Sequence, residues 1–131
     1  MTDAGILDLG MLGRINVSCP PEGALEAAGQ VPEDLELFRD HFPEFPVLPG
    51  VLSLEIIKKT AEFWLSRQPS QAFRLREIGM VKFGSFLRPG DRWHLRLTRE
   101  SAGGEVSFRG RLSQGDRTAV NAALTFEHLG S

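Results

Sequence analysis

Two residues fourteen positions apart, His41 and Glu55, have the types and setting of an acid–base pair. Histidine titrates near neutrality and can accept a proton at working pH, and a carboxyl can give one up. His41 heads the segment HFPEFPVLPG, in which Pro43, Pro46 and Pro49 recur at every third residue and Gly50 closes the run. Each proline fixes its own φ and biases its predecessor towards extended geometry, so residues 41–50 form a stiff, non-helical strap. A plain connector needs neither a histidine at its head nor a glycine at its end. Glu55 lies among Val51, Leu52, Leu54 and Ile56. An acid in that company must be paired, neutral or working. Lys58 and Lys59, at i+3 and i+4, are ready partners for it, so a structural ion pair and a catalytic acid both remain open at this level. The chain has three histidines and one cysteine, Cys19. It offers no ligand cluster for a metal and none for an organic cofactor.

The strap must be followed by something rigid. VLSLEIIKKTAEFWLSR, residues 51–67, has no Gly or Pro and a length suited to a helix. Its apolar residues cover more than one stripe, which predicts a helix buried nearly all round. After Pro69 the period changes to two. RWHLRLTRE sets Trp93, Leu95 and Leu97 against Arg92, His94 and Arg96. EVSFRGRLS sets Val106, Phe108 and Leu112 against Arg109 and Arg111. Val120, Ala122, Leu124 and Phe126 alternate in a last strand, and residues 74–87 supply another before Pro89-Gly90-Asp91. Turn residues between the runs predict four consecutive antiparallel strands joined by tight turns. Upstream, Ala24 to Val31 reads as a strand, and ILDLGMLGRINVS as a short helix or turn leading into another. EDLELF reads as a short turn of helix. A curled antiparallel sheet with one long helix in its concave face satisfies this order, an α+β arrangement.

At 131 residues, 41% of them hydrophobic, the chain suits one domain, residues 1–131. Its start does not read as a signal peptide, and no apolar run is long enough to span a bilayer. A cytoplasmic protein without membrane insertion is the expectation. The net charge of −2 is unevenly placed: residues 1–57 hold ten acids and two bases, residues 58–131 seven acids and thirteen bases. The basic half fits an acidic partner, and it equally fits solvated arginines on strand faces. With a pI near 5.9 and no aromatic-plus-basic module, nucleic-acid binding is poorly supported. His94 and His128 read as exposed residues without a role.

The segment His41-Phe42-Pro43-x-x-Pro46-x-x-Pro49-Gly50-Val51-Leu52-x-x-Glu55 resembles the signature of the hot-dog-fold 3-hydroxyacyl-(acyl-carrier-protein) dehydratases of fatty-acid synthesis. Val81-Lys82-Phe83 and Pro89-Gly90-Asp91 resemble that family's downstream strand and turn, so the similarity runs over residues 37–128. The resemblance implies a hot-dog domain that removes water from a 3-hydroxyacyl thioester to give the trans-2-enoyl product. It implies His41 as general base on C2 and Glu55 as the acid beside the leaving 3-hydroxyl, the two meeting across a homodimer interface. Gly50 would hold the thioester carbonyl through its N–H, and Val51, Phe42 and Phe83 would complete the substrate-binding set. Phe42, Leu48, Phe83 and Phe86 fit the lining of an acyl tunnel as well as plain core. No cofactor is implied. The implied partners are an acyl carrier protein or coenzyme A thioester and further copies of the chain, as a homodimer or a trimer of dimers.

Three departures mark a divergent member. Glu44 stands where the family usually has glycine, Lys59 where it usually has glutamine, and the usual N-terminal proline-histidine-arginine segment is missing. They suggest a specialised lipid or polyketide pathway. Two other functions fit the same fold: an acyl-thioester hydrolase, which does not need the H-F-P-x-x-P strap, and a non-catalytic acyl- or carrier-binding subunit in which Lys59 neutralises Glu55.

Overall fold

A computed structural model describes residues 3–20, 23–40, 44, 46–68 and 72–129. Three short strands come first: β1 (Asp3–Asp8), β2 (Arg14–Cys19) and β3 (Leu25–Gln30), with a 3-10 turn over Gly10–Leu12 between β1 and β2. The short helix α1 (Glu36–Asp40) leads to the strap and then to the long helix α2 (Gly50–Ser66). Strands β4 (Phe73–Phe83), β5 (Arg92–Ala102), β6 (Glu105–Gln114) and β7 (Arg117–His128) follow. All seven strands form one sheet in the order β1-β2-β3-β5-β6-β7-β4, and every neighbouring pair is antiparallel.

The period-two runs bury the predicted faces. Trp93, Leu95 and Leu97 of β5, Val106, Phe108 and Leu112 of β6, and Val120, Ala122, Leu124 and Phe126 of β7 all point into the core. Against them α2 sets Ser53, Ile56, Ile57, Thr60, Ala61 and Leu65. Each fully buried Leu, Ile or Phe here contributes about 1.5–3 kcal/mol. Thr60 is buried without penalty because its hydroxyl donates to the Ile56 carbonyl at 2.8 Å. An edge-on contact between Trp64 and Phe108, with centroids 6.0 Å apart, ties helix to sheet, and Phe108 in turn packs edge-on against Phe126 of the next strand at 5.7 Å. Gly110 of β6 sits under Ile57 of α2. A β-carbon there would fall 2.7 Å from Ile57 Cγ2 and 2.9 Å from Leu97 Cδ1.

Two expectations are corrected. The four downstream strands are not a simple meander: β5, β6 and β7 follow one another, but β4 pairs with β7 and β5 pairs with β3. The turn signal at Pro89-Gly90-Asp91 is real, with Asp91 N–H donating to the Arg88 carbonyl at 3.0 Å, but it does not close a hairpin. Residues 84–91 instead cross the molecule. Gly84 and Ser85 donate to the carbonyls of Ala119 and Thr118 at 2.8 and 2.9 Å, Leu48 donates to Leu87 at 2.7 Å, and Val31 donates to Asp91 at 2.8 Å. A turn motif fixes a bend, not a neighbour. Burial decides the neighbour, because β4 on β7 extends the sheet round α2, and the crossing puts Leu87 in the core.

The second correction concerns α2, which is not covered all round. Val51, Glu62 and Ser66 are exposed and Glu55 is half-buried. At 100° per residue these four share the face opposite Ile57 and Thr60, and the sheet reaches only the latter.

Candidate active site

Residues 46–49 reach α2 through Pro49, whose φ and ψ of −54° and 141° lie outside the helical region and whose carbonyl accepts from Leu52 N–H at 2.9 Å and Ser53 N–H at 3.3 Å. Proline is suited to this position because it lacks an N–H that would otherwise need an acceptor. The N–H groups of Gly50 and Val51, in the first turn, have no acceptor among the described residues. Such groups, at the positive end of a helix of 17 residues, are suited to hold an oxygen that gains negative charge.

Phe83, the last residue of β4, lies over this end of the helix. A β-carbon on Gly50 would fall 2.8 Å from its Cε1 and 3.0 Å from its Cδ1. Gly50 is not among the residues with positive φ. The requirement for glycine here is therefore one of space, and the close neighbour is the Phe83 ring. That ring is 53% exposed and Val51 is 69% exposed, so the described part of this end is open.

Glu55 follows Gly50 by five residues, or about 7.5 Å along the helix axis, and sits on the open face of α2. It has no hydrogen bond or ion pair among the described residues, so neither Lys58 nor Lys59 engages it. The structure thus brings together three predicted positions, Gly50, Val51 and Phe83, with Glu55 farther along the same helix. His41 and Phe42 lie outside the described residues. Leu48 is closed core rather than tunnel wall, fully buried and held by its bond to Leu87, whereas Phe86 is exposed. Of the two remaining histidines, His94 is exposed on β5, 3.5 Å from Glu26, and His128 is half-buried against Phe73. Sequence reading missed a groove between the second half of α2 and β4, a hollow of about 220 Å³ lined by Glu62, Leu65, Ser66, Phe73, Leu75 and Phe126 among others. Its signal was the apolar phase of residues 73–81, visible only once β4 is known to close on the helix.

Comparison with known proteins decides the family. A family model described as ApeI-like, the ApeI dehydratase, matches residues 18–122. The chain belongs to the ApeI-like dehydratase family. It is 32% identical over 120 residues to the 3-hydroxyacyl-(acyl-carrier-protein) dehydratase FabZ of Ligilactobacillus salivarius, covering 88% of this chain and 85% of that protein. Among solved structures it is similar to the dehydratase heterocomplex ApeI:P of Xenorhabdus doucetiae, with 29% identity, a TM-score of 0.62, and coverage of 82% of this chain and 90% of that one. A thioesterase of Pseudomonas aeruginosa aligns with a TM-score of 0.67 at 21% identity, covering 88% of this chain and 81% of that one. That likeness is one of fold, and the fold is the hot-dog: a curled seven-stranded antiparallel sheet with one long helix.

Proposed function

We propose that the protein dehydrates a 3-hydroxyacyl thioester borne on an acyl carrier protein, giving the trans-2-enoyl thioester. The observation that carries this reading is the first turn of α2. Two N–H groups without an acceptor among the described residues stand there beside a ring-packed glycine, with the Glu55 carboxyl group on the open face of the same helix. The helix N-terminus holds the thioester carbonyl while His41 takes a proton from C2, and the electron pair of that C–H bond forms the C2–C3 double bond. The C3–O bond breaks as Glu55 supplies a proton, and water leaves. Charge building on the thioester oxygen is stabilised by the Gly50 and Val51 donors and by the helix dipole. A thioesterase reading has less support, since hydrolysis needs neither the proline strap nor a base aimed at C2.

The reading requires a homodimer in which His41 of one copy works with Glu55 of another, in the cytoplasm. Exposed Val51, Ile78, Met80, Phe83 and Phe86 at the β4 edge and helix start support such an interface. The test is mass spectrometry of a carrier-bound 3-hydroxyacyl thioester incubated with the protein. Loss of one water is expected. Release of the free acid, or an unchanged thioester across several chain lengths, would overturn the reading.

A further inference from the structure

The segment that crosses the molecule between β4 and β5 meets the approach to α2 at two points. At the first, the Phe83 ring lies on Gly50. At the second, the Leu87 carbonyl accepts from Leu48 N–H at 2.7 Å, two residues before Gly50. Leu48 and Leu87 are both shut in the core, 0% and 1% exposed. A buried N–H left without its acceptor is costly, so this bond fixes where the backbone of residue 48 lies.

Gly84 stands between the two points. The register of β4 on β7 ends at the pair Phe83–Val120. Beyond it Gly84 N–H donates to the Ala119 carbonyl at 2.8 Å and Ser85 N–H to the Thr118 carbonyl at 2.9 Å, which fastens the segment to the start of β7. A β-carbon on Gly84 would overlap the Thr118 carbonyl oxygen. That oxygen belongs to a strand backbone and cannot swing aside as a ring can. Gly84 is not among the residues with positive φ, so its missing side chain serves close approach. The far end of the segment is fastened as well: Val31 N–H donates to the Asp91 carbonyl and Gly90 N–H to the Val31 carbonyl, both at 2.8 Å.

We propose that Gly84 and Leu87 are positioning residues for the dehydration, aiming the first-turn N–H groups of α2 at the thioester oxygen while touching no substrate themselves. The proposal rests on the dehydratase reading above; the clamp rests on its own bonds. A first-turn N–H has no partner inside the helix, so the helix ladder does not hold it in place. The direction of Gly50 N–H is the direction of the Pro49–Gly50 peptide plane. Two constraints set that plane. The Pro49 carbonyl is tied to Leu52 and Ser53, and the chain before it is tied through Leu48 to Leu87, with the proline ring fixing φ between them. A displacement of about 1 Å at such a donor costs about 10²-fold in rate.

The test compares two changes to the clamp, each with a matched control. Exchange of the Leu48 amide for an ester removes the donor to Leu87. The same exchange at Val31, 1% exposed, removes the donor to Asp91 at the other end of the segment. Gly84→Ala pushes the segment off β7, whereas Gly79→Ala, also on β4, puts its β-carbon at an ordinary 3.7 Å from Ala123. Dehydration of a carrier-bound 3-hydroxyacyl thioester is followed well below every thermal midpoint. The Leu48 ester and Gly84→Ala should lower kcat at least tenfold with KM within twofold, since the donors act on charge that forms in the transition state. Amide hydrogen exchange at Leu52 and Ser53 should quicken in both. The Val31 ester should lose as much thermal stability as the Leu48 ester yet keep kcat and KM within twofold, as should Gly79→Ala, and all four should sediment like wild type. An unchanged kcat in the Leu48 ester, an equal loss in the Val31 ester, or a loss that accompanies dissociation would overturn the proposal. The Leu48 ester decides alone if Gly84→Ala folds poorly. No dehydration by wild type, with exchange at Leu52 and Ser53 quickened only by the clamp changes, overturns the proposed reaction alone; dehydration indifferent to both changes overturns the positioning role alone.

Discussion

The Phe83 ring rests on Gly50, so close that a β-carbon on the glycine would fall 2.8 Å from Cε1. The last residue of β4 and the first residue of α2, thirty-three positions apart, form one surface at the candidate substrate-binding end. The glycine of the motif is thereby explained by a neighbour rather than by a turn.

Gly50→Ala should therefore act through Phe83. The ring is exposed enough to swing aside, so the loss of stability should be at the low end of the overpacking range, about 1 kcal/mol. The displaced ring and the crowded donors should raise KM and lower kcat. Adding Phe83→Ala should restore part of the loss, and a double-mutant cycle on kcat/KM measures the coupling. Independent effects of the two changes would show that the contact does not matter to the site.

His41→Ala and Glu55→Gln should each remove about 10²- to 10⁴-fold of the dehydration rate, the usual weight of a general acid or base. Glu55→Gln should leave the thermal midpoint near wild type, because the side chain has no ion pair to lose among the described residues. A dehydration rate unchanged in either variant would remove that residue from the mechanism.

Lys59→Gln restores the residue usual in the family. Since Lys59 does not engage Glu55, the substitution should leave kcat/KM within about twofold, the scale of a weak surface pair. A large gain in activity would mean that Lys59 holds the carboxylate inactive, and would favour a binding subunit over an enzyme.

Gly110→Ala is a stability test of the helix–sheet contact. Its β-carbon meets Ile57 and Leu97, both fully buried in the core, and neither can move into solvent. A loss of about 1–3 kcal/mol is expected from overpacking, read as a lower urea midpoint with an unchanged slope.

Phe86→Asp tests the shared site. Placing a charge among the exposed apolar residues near the β4 edge should shift sedimentation from dimer to monomer and abolish turnover together. A monomer that keeps full activity would exclude a site built from two copies.

The amino-acid sequence by itself determined much of this protein. Pro46 and Pro49 stand in a non-helical approach to Gly50, and the run after Gly50, free of Gly and Pro, forms a helix as its sequence predicts. The alternation of Trp93, Leu95 and Leu97 with Arg92, His94 and Arg96 set which side of β5 faces the core. These are local consequences of backbone sterics and side-chain period, and the motif from His41 to Glu55 is local as well. Only the tertiary structure decided that β4 closes on β7, because a turn signal carries no information about a distant neighbour. The same holds for Glu55, whose apolar neighbours in sequence point to burial while its position on the turn of α2 faces it away from the sheet. Phe83 over Gly50, and Leu87 bonded to Leu48, likewise join residues from distant parts of the chain. Their placement is set by burying every inner face at once, a sum over the whole chain that no single segment contains.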